Sequence, residues 1–327
     1  MTAAALPLGR RGMLAGSISA LLAACAGPDE PASAASRPRL VEIAPGIHTV
    51  SGLLPPFDPR HPSVDLRLPA GVAKPPLLIL VHGGGGARDQ ANAMALFQAQ
   101  GIAVLGFDAY RLAGLERDWG FWVRNVTYEA RQRMIYSAAL GAYRWATTLD
   151  SVDTTRIHIH GLSNGADVVA NLAAMASPAH VRMVFAEGLA GAGLGLPDRL
   201  TVPLRAVFGR LDNYAGASTT DWRWSRQVPC RLNMAGFDGP PGNAANCSAA
   251  RNAFNRTESP EQWVARQRAA GADIDIWFYE DAAHGIFAGP LRFLTVDWPG
   301  RTAPATIGAS EAARQKLLQD MLALIRA

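Results

Sequence analysis

The stretch at residues 156–175, RIHIHGLSNGADVVANLAAM, constrains this chain more than any other. A short apolar strand runs into an abrupt turn and then into a helix of small residues. The turn, Gly161-Leu162-Ser163-Asn164-Gly165, matches G-x-S-x-G. In so tight a strand–turn–helix the serine takes a strained backbone position with its hydroxyl thrust outward. Flanking glycines are needed because a Cβ there would strike the neighbouring strand or helix. Ser163 is therefore the candidate nucleophile; the bland alternative is a Gly-Ser turn without chemistry. A pentapeptide with three fixed positions also arises by chance, so the rest of the chain must decide between them.

At 327 residues the chain can bury a large core, and strand and helix patterns alternate along it. Residues 40–50 and 64–68 carry β-type alternation and read as an antiparallel start to a sheet. Residues 75–81 form a continuous apolar run, as expected of a central strand covered on both faces. It ends at His82-Gly83-Gly84-Gly85-Gly86. Helical character follows from Asp89 to Gln100 and stops at Gly101. A buried strand is expected at 102–107, an irregular aromatic connection at 111–125 and a long helix over 126–149. Further strands are expected at 181–186, 202–208 and 274–279, and a closing amphipathic helix over 310–325 with Ser310 as its N-cap. This alternation implies βαβ units, right-handed crossovers and a mostly parallel sheet of about eight strands flanked by helices.

In such a sheet, ligands bind beyond the carboxyl ends of the strands. Four segments follow four separate strands: the polyglycine loop, the Ser163 turn, Asp212 and His284. A serine hydroxyl is a weak nucleophile near neutral pH and needs a base, which in turn needs a partner to fix its tautomer. His284 fits the base and Asp212 the partner; Glu187, after its own strand, is the second candidate for the acid. An oxyanion hole requires two backbone N–H groups aimed at the developing charge. Asn164 supplies one, and Gly84 or its neighbour Gly85 the other, because glycine lets a substrate oxygen approach bare backbone. A phosphate-cradling role for the same loop lacks its G-x-x-x-x-G-K-[ST] signature. His158 and His160 share a strand, but no third ligand lies near them in sequence, and they read as structural. Neither a metal nor a cofactor is expected.

Taken together, His82-Gly83-Gly84-Gly85, Gly161-Leu162-Ser163-Asn164-Gly165, Phe208-Gly209-Arg210-Leu211-Asp212 and Ala283-His284-Gly285-Ile286-Phe287 resemble the α/β hydrolases, and more narrowly their dienelactone-hydrolase-like branch. The resemblance covers roughly residues 64–326. It implies an α/β-hydrolase fold and cofactor-free ester hydrolysis through an acyl-serine, with Ser163, Asp212 and His284 as the triad. Dienelactone hydrolase proper uses a cysteine nucleophile where this chain has serine. The separation between Asp212 and His284 is also long for that branch. It implies a cap insertion at about 213–271, before the last strand, holding Tyr214, Trp222 and Trp224. A peptidase or amidase on the same fold, and a non-catalytic surface binding module, remain the alternatives to an esterase.

Residues 1–24 read as an export signal, not as part of the fold. Arg10-Arg11 precede an apolar run, residues 13–24, that is too short to span a bilayer as a stable helix. Leu22-Ala23-Ala24-Cys25 resembles the bacterial lipobox, which would make Cys25 the lipidated residue. The segment from Arg10 to Leu14 resembles a twin-arginine signal. An ordinary secretory signal with a chance cysteine is the alternative. Residues 25–39 read as a tether and 40–327 as the folded domain, so membrane contact is expected only through the anchor. Export implies an oxidising compartment, where Cys230 and Cys247 are expected to form a disulfide; two separate buried thiols are the alternative. The formal charge of +4 rests on scattered arginines, with Lys74 and Lys316 the only lysines. Removing residues 1–24 takes away two of those arginines and no acid. No run of like charge forms a nucleic-acid surface, and the expected partner is a small-molecule ester.

Overall fold

Every side chain of β4 (Leu77–Val81) is buried, and the same holds for β5 (Ala103–Phe107). Strands without a polar face must be covered on both sides. The computed structural model describes residues 37–191, 193–212, 260–298 and 301–327. The chain divides into two units, Met1–Ser36 and Arg37–Ala327, and all described residues belong to the second. The remaining strands of its main sheet are β3 (Val64–Arg67), β6 (Ile157–Leu162), β7 (Val181–Glu187), β8 (Leu204–Gly209) and β9 (Ile274–Tyr279). They form a seven-stranded sheet in the order β3-β5-β4-β6-β7-β8-β9. The edge strand β3 pairs antiparallel with β5, and every other pairing is parallel.

Helices α1 (Ala91–Ala99), α2 (Ala109–Leu112), α3 (Trp119–Asn125), α4 (Tyr128–Ala146), α5 (Asn164–Ala173), α6 (Pro260–Ala269) and α7 (Glu311–Arg326) surround the sheet. Successive strand residues point to opposite faces, and β4 shows the result. Leu77, Ile79 and Val81 join one core with α4, α5 and α6, whereas Leu78 and Leu80 join a second core with α1 and α7. Side-chain caps set several helix starts. Thr127 accepts a hydrogen bond from the Ala130 N–H, so the long helix begins at Tyr128. Ser310 accepts one from the Ala313 N–H, as its position in the sequence suggests.

Four segments depart from expectation. Residues 40–50 do not join the sheet: β1 (Arg39–Ala44) and β2 (Ile47–Ser51) pair with each other as a separate hairpin. The chain reverses at Pro45-Gly46, with Gly46 in the left-handed region at φ 73°, and this removes one strand from the expected sheet. The connection at 111–125 is partly helical, with Asp108 and Asp118 capping α2 and α3. A second hairpin, β10 (Arg292–Trp298) with β11 (Arg301–Ile307), follows β9. The end of the expected cap is α6, whose Trp263 and Val264 are buried in the first core, so α6 belongs to the sheet's own layers. The rest of that segment, 213–259 with Cys230 and Cys247, lies outside the described residues, as does Cys25. No helix among the described residues is long and apolar enough to cross a membrane.

His158, the second residue of β6, is buried, and among the described residues neither of its ring nitrogens has a hydrogen-bond partner. Burial, with Arg156 and Arg182 nearby, pushes its pKa down from 6.5 to about 4. The folded chain keeps this ring neutral where the unfolded chain protonates it, so unfolding takes up a proton between those two values. Its contribution to stability is fully present above pH 6.5 and is lost as pH falls toward 4, by about 3 kcal/mol. The urea midpoint should therefore drop between about pH 7 and about pH 4.5, and His158→Met should flatten that slope.

Candidate active site

β6 ends at Leu162 and α5 begins at Asn164, which leaves Ser163 alone to make the turn. Its backbone sits at φ 57°, ψ −116°, and among the described residues only Lys74 shares a positive φ without being glycine. Such a conformation costs about 1–3 kcal/mol and persists where its surroundings enforce it. Here the Ser163 N–H donates to the Glu187 carbonyl and the Ala166 N–H donates to the Ser163 carbonyl, each at 2.8 Å. The two glycines of the motif are required by close backbone approach. A Cβ on Gly161 would run into the carbonyl of Gly165, and one on Gly165 would stand 2.6 Å from the carbonyl oxygen of His82.

His284 follows β9 in a loop fastened to the end of β11. Its N–H donates to the Thr306 carbonyl at 3.3 Å, and its own carbonyl accepts from the Gly308 N–H at 2.9 Å. Nδ1 of His284 lies 2.9 Å from Oδ2 of Asp212, and both side chains are buried. Asp212 comes from the turn after β8, where its N–H donates to the Gly209 carbonyl. Of the two acids singled out in the sequence, Asp212 reaches the imidazole. Glu187 is engaged elsewhere: Oε2 lies 2.9 Å from Nε2 of His160, and Oε1 accepts from the Ile286 N–H. With its carbonyl on Ser163, Glu187 ties the serine turn, β6 and the histidine loop together. Nothing in the sequence reveals this, because His160 lies 27 residues before Glu187 and Ile286 lies 99 residues after it.

The polyglycine loop is held from behind. His82 is buried, and its Nε2 accepts from the Ala109 N–H at 3.0 Å, so the proton on Nδ1 donates to the Gly83 carbonyl at 2.7 Å. This pattern requires a neutral ring, and burial pushes the His82 pKa down accordingly. The Tyr110 hydroxyl donates to the Gly84 carbonyl at 2.9 Å. The loop then presents its glycines differently. Gly83 packs on the serine turn, where a Cβ would meet that of Ser163 at 3.3 Å. Gly84 abuts the side chain of Asn164, whereas Gly85 abuts the ring of Trp119. The sequence centred attention on Gly84 and Gly85; Gly83 belongs with them by position. Asn164 opens α5, where the first N–H groups have no carbonyl of their own helix to bond. Beside the loop lies a cleft of about 490 Å³ lined by Gly85, Arg88, Tyr110, Trp119 and Trp122 among others, with Tyr110 and Trp122 stacked at 3.8 Å. Among the described residues no group of three or more His, Cys, Asp or Glu side chains is placed to hold a metal ion.

A mostly parallel sheet between two helical layers, with a serine turn, a buried His–Asp pair and a glycine loop after separate strands, is the α/β-hydrolase fold. No protein-family model matches the sequence, and no curated protein is similar to it in sequence. The fold is similar to that of a presumed dienelactone hydrolase from Klebsiella pneumoniae subsp. pneumoniae. The TM-score is 0.51 and the identity 16%, over 80% of this chain and 92% of that one. Dienelactone hydrolase from Anabaena variabilis is similar at 15% identity and TM-score 0.43, over 88% of this chain and 96% of that one. Est1E from Butyrivibrio proteoclasticus, with ferulic acid bound, is similar at 15% identity and TM-score 0.45, over 81% and 95%.

The elbow makes opposite demands on neighbouring positions. Gly165→Ala should lower the unfolding free energy by about 1–3 kcal/mol through overpacking. Ser163→Gly should raise it by about 1 kcal/mol by relieving the positive φ. Urea unfolding of the two variants measures both; equal midpoints would show that the turn is not strained.

Proposed function

We propose that the protein is an exported serine hydrolase that cleaves carboxylic esters through an acyl-serine intermediate. The observation that carries this reading is the buried His284–Asp212 pair, on the fold whose elbow holds Ser163 at a strained positive φ. In this mechanism Nε2 of His284 takes the Ser163 hydroxyl proton as Oγ attacks the ester carbonyl. Asp212 accepts from the Nδ1–H and stabilises the imidazolium. The negative oxygen of the tetrahedral intermediate is received by the backbone N–H of Asn164 and by the polyglycine loop. Gly84 is the loop residue beside Asn164, and Gly85 is the further candidate. The C–O bond to the alcohol then breaks as His284 returns the proton to the leaving oxygen. Water attacks the acyl-serine by the same route, releasing the acid and restoring Ser163. No step requires a cofactor.

The name carried by the Klebsiella structure favours esters over amides, and a peptidase or amidase on this fold is the second reading. Residues 213–259, between Asp212 and α6, are the proposed cap that selects substrate, with Cys230 and Cys247 as its staple. Export and anchoring at Cys25 rest on residues 10–25.

A fluorophosphonate probe should label the wild type and not Ser163→Ala, whose ester turnover should fall by about 10⁴–10⁶. Persistent labelling of that variant would remove Ser163 from the mechanism. Asp212→Asn should be slower by about 10⁴, whereas Glu187→Gln should retain readily measured turnover. Parallel assays on aryl esters and anilides separate an esterase from an amidase.

Expressed from the full chain in a bacterial host that processes lipoproteins, Cys25→Ser should move the protein from the membrane fraction to the soluble periplasmic fraction. Thiol titration of the unreduced mature protein should find Cys230 and Cys247 unreactive; two free thiols would rule out the staple.

A further inference from the structure

Arg131, on α4, is buried, with 1% of its surface exposed. Among the described residues its Nε and Nη2 have no hydrogen-bond partner, and no carboxylate pairs with it. The contact its charge does make is with the ring of Tyr128, whose centroid lies 5.0 Å from Cζ. It also opposes the upward push that burial gives the Tyr110 phenol. A guanidinium is a fixed cation, unlike a buried lysine or glutamate, which can shed its charge. A cation–π contact does not replace the hydration lost on burial. Taken alone, this placement is destabilising.

Its location gives the charge a use. Nη1 of Arg131 lies 2.6 Å from the point where a Cβ of Gly84 would stand, and Nδ2 of Asn164 lies 2.6 Å from that same point. The guanidinium therefore adjoins both residues whose backbone is proposed to receive the oxyanion. Oδ1 of Asn164 is buried and likewise has no partner among the described residues, and turning that amide end for end presents an oxygen toward Arg131. On either orientation Arg131, Asn164 and Gly84 form one unit, and Gly84 is glycine because any side chain would displace the other two.

We propose that Arg131 is an electrostatic positioning residue of the oxyanion site. Its buried charge favours the negative oxygen that forms beside Asn164 and Gly84, and it acts through those residues without touching substrate. The neutral ester carbonyl of the ground state gains little from a nearby cation, whereas the tetrahedral intermediate carries a full negative charge in a site of low dielectric. The effect thus falls on kcat and not on KM.

The inference rests on the acyl-serine reading, and its test keeps the two apart. Arg131→Met retains an unbranched stem without charge, Arg131→Gln is a second neutral variant, and Arg131→Lys restores the charge. With p-nitrophenyl acetate, both neutral variants should lose about 10- to 100-fold in kcat, less than the loss of a direct oxyanion donor can cost, with KM nearly unchanged. Arg131→Lys should recover most of the rate. Affinity for an aryl trifluoromethyl ketone, which adds to the serine as a negatively charged tetrahedral adduct, should fall by the same factor as kcat/KM. Meanwhile Tm should hold or rise as the buried charge is removed. Wild-type kcat in the neutral variants would overturn the proposal, as would a lost rate accompanied by lower Tm, unchanged ketone affinity and no rescue by lysine. A wild type that neither turns over esters nor reacts with fluorophosphonate would remove the acyl-serine reading itself, and this inference with it.

Discussion

The contact on which the rest depends is the backbone-to-backbone approach at the elbow. Gly165, in the first turn of α5, lies against the carbonyl oxygens of Val81 and His82 at the end of β4. That approach brings the start of α5 to the end of the neighbouring strand, and so sets the polyglycine loop beside the serine turn. It is possible only without side chains at Gly161 and Gly165, and Ser163 between them takes a positive φ. The strain is local, and the sheet that imposes it is buried through both faces. A rigid core can hold one residue off its preferred backbone; a loose one would let the turn relax.

Around this turn the structure sets a layer of buried polar groups that do not themselves face the reaction. His82 holds the glycine loop to the start of α2, and Glu187 joins β6 to the histidine loop. Asp212 joins the end of β8 to His284. Each bond is made across long sequence separations, so each is available only once the sheet has formed. Buried polar groups of this kind are tolerated where their partners are complete. Arg131 is the member of the layer whose charge has no counter-ion among the described residues, which is why its position beside Gly84 and Asn164 bears on chemistry and not on packing alone.

The central strands were legible because β4 and β5 carry no polar residue, and such runs have no stable place except between two covering layers. The order of Ser163, Asp212 and His284 was legible because each follows a recognisable strand. Pairing was less so. Residues 39–51 show the alternation of a strand, but alternation does not name a partner; the reversal at Pro45-Gly46 gives each half the other. The hairpin of β10 and β11 had a signal that went unused, the Pro299-Gly300 dipeptide between two β-type runs. Helix α6 was absorbed into an expected insertion because its buried residues, Pro260, Trp263, Val264 and Gln267, are few and its remaining face carries Glu261, Arg266 and Arg268.

The sequence by itself determined the kind of fold and pointed to Ser163, His284 and two acids, Asp212 and Glu187, as residues with the chemistry of a nucleophile, a base and its partner. Those properties reside in residue types and in their order after apolar runs. Only the tertiary structure decided which acid meets the histidine, because Asp212 and Glu187 are equivalent as carboxylates and differ in where their strands end. It likewise decided which glycines adjoin Ser163 and Asn164, and that Arg131 stands behind them, because hydrogen bonds and burial are made in space between residues that the chain keeps far apart.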